Sequence, residues 1–146
     1  MVIDLRKIGL NGKDEESFCF EYVPDRNLLT IPNAEIKPPV TVLGKATLSG
    51  KHSAYVEGEI TYIVSGECTK CLNATEKKYV VAFSEHVDEN PDGDYKVVND
   101  KIDLTAIVDN EILINDPISF LCKDDCRGIC PGCGVNLNYD DCKCEK

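Results

Sequence analysis

Apolar and polar residues alternate along the first half of the chain with period two, the pattern of half-buried β-strands. Val2, Asp4 and Arg6 oppose Ile3 and Leu5, and Phe18 and Phe20 face one way with Cys19 and Glu21 the other. Val40, Val42 and Gly44 follow Pro38-Pro39, a pair that excludes helix there. The longest register runs through Val56, Gly58, Ile60, Tyr62 and Val64, with Glu57, Glu59 and Thr61 opposite. Asn11-Gly12, Asp25-Arg26-Asn27 and Gly50-Lys51 read as turns between the runs. Further strands are expected over 79–83 and 95–98. Short strands punctuated this way predict an antiparallel sheet or a partly open barrel.

The period changes once. Asp103 can N-cap a helix in which Leu104, Ile107, Val108 and Ile112 form an apolar stripe. Asp109 and Glu111 lie off that stripe and Pro117 is positioned to end the segment. The stripe is expected to pack on the sheet rather than bind a partner. From Phe120 on, apolar residues thin out, and glycine, proline, asparagine and cysteine dominate. Such a segment needs a metal to order itself. The expected class is α+β, mostly β: a β-rich domain over 1–119 with one main helix, and a Cys-rich metal-binding tail over 120–146 docked on it.

Length and composition narrow the function. The chain has 146 residues, enough for one modest core and too few for a TIM barrel. No apolar run reaches the length of a membrane span or a signal peptide, so the expected location is the cytoplasm, where thiols stay reduced. That makes the nine cysteines, six of them in the last 25 residues, candidate metal thiolates. The alternative is a disulfide scaffold. The net charge is −10, from 26 acids against 16 bases. This disfavours sequence-independent binding to a phosphate backbone, which needs a surplus of Lys and Arg.

Cys130-Pro131-Gly132-Cys133-Gly134 is the sharpest local signal. Two thiolates at this spacing grip one tetrahedral ion from a single turn. Proline fixes one φ, and the glycines admit conformations that a Cβ resists. Cys68-Thr69-Lys70-Cys71 repeats the spacing at the end of the longest strand, without the glycines. Cys19 alternates with aromatic positions and is expected to be a buried free thiol. The other eight divide into two sets. Cys122 and Cys126, just after the helix, pair with Cys68 and Cys71, while Cys130 and Cys133 pair with Cys142 and Cys144. A competing partition gives Cys126, Cys130, Cys133 and Cys142 one ion, and spacing alone leaves it open. Two zinc ions per chain are expected. Eight thiolates add −8 and two zinc ions +4, which takes the net charge from −10 to −14.

Other motifs fall away. Cys126-x3-Cys130-x2-Cys133 has a radical-SAM spacing, but only 13 residues follow Cys133. Asp88-Glu89-Asn90-Pro91-Asp92-Gly93 matches half a calcium loop, yet Asn99 stands where the bidentate glutamate belongs. A solvated acidic turn is expected there. The two histidines, His52 and His86, are remote in sequence from any cysteine. Eight thiolates that complete two sites leave no open catalytic position, so an enzyme is not expected.

Taken together, Ile3-Asp4-Leu5, Cys68-Thr69-Lys70-Cys71-Leu72, Ile102-Asp103-Leu104, Leu121-Cys122…Cys126, Cys130-Pro131-Gly132-Cys133-Gly134-Val135-Asn136-Leu137-Asn138 and Cys142-Lys143-Cys144 resemble the YceD family of large ribosomal RNA subunit accumulation proteins. The resemblance implies a role in 23S ribosomal RNA accumulation and large-subunit biogenesis, with no known catalytic activity. Some members lack the distal cysteines, which implies that the first site is the common one. Against that role, the acidic charge favours ribosomal proteins or assembly factors as partners. Direct rRNA contact is the alternative, as is a thiol-redox or metal-delivery role.

Overall fold

Alternating positions become the covered side of an antiparallel sheet. The computed structural model describes residues 1–10, 12–25, 27–31, 33–116 and 120–144. Its elements are β1 (Val2–Asp4), α1 (Leu5–Leu10), β2 (Glu15–Tyr22), β3 (Ala34–Gly50), β4 (Ser53–Glu67), β5 (Ala74–Val87), β6 (Lys101–Asp103) and α2 (Leu104–Ile114). The four strands β2-β3-β4-β5 pair in that order, and β1 and β6 form a separate two-stranded sheet. Both sheets are antiparallel and open.

The register sorts the faces. Phe20, Val42, Ile60 and Val81 form one row across the sheet, and Cys19, Leu43, Glu59 and Ala82 the next. The first row faces the core, where Val42 and Ile60 are fully buried. The second faces outward, leaving Leu43 and Cys19 exposed. The expectation that Cys19 is buried is therefore corrected. Alternation separates two faces but does not say which is covered, and the aromatic residues of β2 take the covered side.

Three further expectations are corrected. The main strands are long rather than short, at 17, 15 and 14 residues for β3, β4 and β5. Residues 95–98 form no strand, only isolated bridges from Lys96 to Asp88 and from Val98 to Lys101. The alternation at the N-terminus stops at Asp4, and Leu5 opens a six-residue helix whose buried residues are Leu5 and Ile8.

That first helix has a cause the sequence shows in duplicate. Ile-Asp-Leu occurs at 3–5 and again at 102–104. The two isoleucines pair across β1 and β6. Each aspartate then caps a helix: Asp4 Oδ1 accepts from the Arg6 amide and Asp103 Oδ1 from the Thr105 amide, both at 3.0 Å. Each leucine amide donates across to the other segment, Leu5 to Asp100 O and Leu104 to Met1 O.

α2 buries Leu104, Ile107, Val108 and Ile112, the expected stripe, and Tyr22 Oη donates to Asp109 at 2.7 Å. Its C-cap is Asn115; Pro117, expected to end it, lies outside the described residues. The core gathers Ile3, Leu5 and Ile8 with the sheet and α2, and takes in Phe120 from beyond the helix. Among the described residues, no helix is long and apolar enough to cross a membrane.

Candidate metal centres

The first cysteine pair sits where β4 ends. The Leu72 amide donates to Cys68 O and the Cys68 amide to Asn73 O, each at 2.9 Å. These bonds curl 68–73 into a tight turn with Leu72 at φ 62°. The Thr69 amide donates to Phe120 O at 2.7 Å and draws the segment after α2 against the turn. Cys122 and Cys126 thereby meet Cys68 and Cys71. The Sγ–Sγ distances are 3.6 Å for Cys68–Cys126 and 3.5 Å for Cys71–Cys122. Cys68, Cys71 and Cys126 form a small buried cluster of their own, flanked by Leu121, Cys122 and Ile129.

The second pair is a geometric copy of the first. The Gly134 amide donates to Cys130 O and the Cys130 amide to Val135 O, again at 2.9 Å. Gly134, at φ 75°, takes the place of Leu72. Cys142 and Cys144 return to this turn, with Cys130 Sγ 3.3 Å from Cys142 Sγ and 3.7 Å from Cys144 Sγ. A Cβ on Gly132 would lie 2.8 Å from Cys144 Sγ, so only glycine leaves room for the sulfurs. This tetrad is open to solvent at Cys133, Cys142 and Cys144.

Leu72 is the strained member of the two turns. A side chain at positive φ costs roughly 1 kcal/mol that glycine avoids, and Leu72 is 58% exposed, so little burial is at stake. Leu72→Gly is expected to raise thermal stability by up to about 1 kcal/mol, measured by calorimetry on the loaded protein. A lower melting temperature would show that the leucine side chain matters more than its backbone.

Both tetrads fit a metal ion. In each, the four ligand atoms lie within 4.8 Å of one another. Four thiolates around a tetrahedral ion with bonds of about 2.3 Å place their sulfurs about 3.8 Å apart, close to the distances seen. A disulfide needs about 2.05 Å, and all nine cysteines are free. The protonation pattern points the same way. Burial opposes charge on Cys68, but the amides of Cys71, Cys122 and Lys70 bring its thiol down to about 6. Burial, together with the neighbouring thiols, pushes Cys122 up to about 12. In the second tetrad, the amide of Cys133, the Cys142 thiol and the amide of Gly132 lower Cys130 to about 6. The sulfurs of Cys142, Cys133 and Cys130 drive Cys144 to about 12. In each tetrad two thiols are drawn down, Cys68 and Cys126 in the first and Cys130 and Cys133 in the second, while a neighbour is pushed up; a divalent cation at the centre removes the conflict.

The family model for the large ribosomal RNA subunit accumulation protein YceD matches residues 56–146. The chain belongs to the YceD family. The match takes in all eight tetrad cysteines, most of β4, and β5, β6 and α2. An uncharacterized protein of Mycobacterium bovis is 33% identical, with 56% of this chain aligned to 44% of that protein. The same figures hold for an uncharacterized protein of Mycobacterium tuberculosis. The YceD chain thus spans under half the length of these relatives. Uncharacterized YlbN of Bacillus subtilis is 29% identical, over 80% of this chain and 72% of its own. No solved structure matches.

All eight cysteines singled out in sequence therefore assemble in this YceD chain, and the grouping of Cys126 with Cys130, Cys133 and Cys142 is not the one observed. The histidines stay apart from both tetrads. His52 Nδ1 lies 2.5 Å from Asp100 Oδ1 and 3.7 Å from Glu89 Oε1, a partly exposed cluster of three side chains whose ligand atoms lie within 4.8 Å of one another. The acidic segment folds on itself, with Asp88 Oδ1 accepting from the Asn90 amide and Asn90 Oδ1 from the Asp92 amide. One residue of the site escaped sequence reasoning. Asn138 Nδ2 lies 3.4 Å from Cys126 Sγ, and this contact is the foremost reason the Cys126 thiol is lowered.

Proposed function

We propose that the protein is a non-enzymatic factor for 23S ribosomal RNA accumulation in large-subunit biogenesis. It works in a reducing cytoplasm, with two structural zinc ions, and acts mainly through contacts with basic ribosomal proteins or assembly factors. The family's role in ribosomal RNA accumulation supplies the process. The observation that carries the non-enzymatic reading is the closure of both tetrads: four thiols around each centre leave no position for a substrate or an activated water. The two ions hold the strand end, the segment after α2 and the tail in one arrangement.

The choice of protein over bare RNA rests on charge. The chain carries −10 before loading, and tetrathiolate zinc deepens it. The uncovered sheet face adds Glu21 and Glu59 beside Leu43 and Val80, while Glu57 is paired with Lys45 at 3.4 Å. Acid around exposed apolar side chains suits a basic protein surface better than a phosphate backbone.

Native mass spectrometry with elemental analysis is expected to find two zinc ions per chain. One zinc, or iron with sulfide, would overturn the eight-ligand scheme. In filter binding with 23S rRNA, the purified loaded protein is expected to bind weakly and without preference. Tight binding that falls steeply with salt would overturn the protein-contact reading in favour of direct rRNA recognition. Rapid zinc transfer to a chelator from both sites would instead favour metal delivery.

A further inference from the structure

The two tetrads are separate in ligands but joined by one side chain. Asn138 lies in the 134–141 loop, between Cys133 and Cys142 of the second tetrad, yet its amide nitrogen points at Cys126 of the first, 3.4 Å away. The amide orientation is fixed by its partners. Asn138 Oδ1 accepts from the Arg127 backbone amide at 2.9 Å, so the nitrogen is the end that faces sulfur. The second hydrogen of Nδ2 goes to Asn136 Oδ1 at 2.9 Å, which also accepts from the Asn138 backbone amide. The loop is laid along the segment between the tetrads by the Leu137 amide donating to Gly128 O and by the Ile129–Asn136 bridge. Every polar atom of the Asn138 side chain is engaged, and one of those engagements reaches a ligand of the other centre.

A hydrogen bond donated to a metal-bound thiolate stabilises its charge and holds its direction. The loop that aims this donor is closed by the ligands of the second centre, Cys133 on one side and Cys142 on the other. We propose that the second tetrad supports the first: loading at Cys130, Cys133, Cys142 and Cys144 fixes Asn138 on Cys126 and so tightens metal holding by Cys68, Cys71, Cys122 and Cys126. This rests on the metal-binding reading above. Asn138 is a positioning residue in this scheme, and the distal cysteines are an amplifier of the first site rather than an independent module. Linkage makes the effect reciprocal: a filled first site favours the loop conformation that fills the second.

The test uses the full chain loaded with cadmium-113, with Asn138→Ala, Cys142→Ser and the double variant. The two ions give separate NMR signals, assigned by the cysteine variant, and release of each is timed against a chelator. Outer-shell changes of this kind typically alter metal affinity about 10–100-fold. Asn138→Ala is expected to speed release from the first site at least about tenfold and to shift its signal, with the second signal in place. Cys142→Ser is expected to speed first-site release by a similar factor. Adding Asn138→Ala to it is expected to change nothing further, because the donor is already lost. Asn138→Asp retains the acceptor for Arg127 but replaces both N–H donors with a charged oxygen that faces Cys126 and Asn136 Oδ1. It covers the case in which alanine disturbs the loop, and it is expected to speed first-site release at least as much as alanine. Unchanged first-site release in Asn138→Ala and Asn138→Asp would overturn the link while leaving two metals bound. Effects that multiply in the double variant would overturn it too. A chain that takes up no cadmium would overturn the metal reading and the link together.

Discussion

Cys68→Ser is expected to release one metal per chain and to lower global stability by about 4 kcal/mol or more. The figure follows from mass action: a metal present at about a thousand times its dissociation constant contributes roughly 4 kcal/mol to the state that binds it. Cys68 is fully buried, and its amide and carbonyl close the turn that presents the pair. Serine is a poor zinc ligand and leaves the other three sulfurs clustered without a cation. The centre joins segments 50 residues apart in sequence, so its loss reaches the sheet through Thr69 and Phe120. Cys142→Ser removes a ligand exposed to solvent. It affects the sheet only through the weakened first site, and a tenfold weaker hold corresponds to about 1.4 kcal/mol. Thermal unfolding followed by far-UV circular dichroism, with metal counted by native mass spectrometry, separates the two. Equal losses from both substitutions would show that the two centres do not divide their work between sheet and tail.

What could be read from the sequence follows the physics of each signal. The helix stripe Leu104–Ile107–Val108–Ile112 and the β4 alternation are repeated patterns whose covered side is unambiguous, and both appear as expected. α1 was hidden because six residues hold only two buried positions, Leu5 and Ile8, too few for a periodicity. The duplicated Ile-Asp-Leu is the signal that reveals it, since Asp103 in the second copy caps α2 as Asp4 caps α1. Cys19 shows the limit of alternation: which face of β2 is covered is decided only by its register on β3, which sets Phe20 beside the buried Val42 and Cys19 beside the exposed Leu43. Over 95–98, Val97 is buried and Tyr95 partly so, as in a strand, but the backbone there makes only isolated bridges. In the metal centres, spacing brought out the ligands. Asn138 was not legible because an asparagine among turn residues is ordinary until its neighbour across the fold proves to be a thiolate.

Phe120→Ala is expected to cost about 3–5 kcal/mol, the range for deleting a buried aromatic ring, while two metals stay bound at saturating zinc. Phe120 is fully buried in the sheet-and-helix core rather than in the small cysteine cluster. Its carbonyl receives the Thr69 amide, and it precedes the first ligand, Cys122, by two residues. The segment is therefore held twice, by a ring in the main core and by a metal beyond it. Phe120→Leu, which keeps much of the apolar contact and leaves a smaller cavity, is expected to cost less than Phe120→Ala. The comparison is made by denaturant unfolding of the loaded protein. If Phe120→Ala costs less than about 1 kcal/mol, metal alone fastens the tail, and 120–146 is an appendage whose removal leaves the β-rich part whole. A loss in the full aromatic range places the start of the Cys-rich segment inside the core. The boundary expected at 119/120 then cuts through the interior, and a chain truncated there would expose the cavity that Phe120 fills.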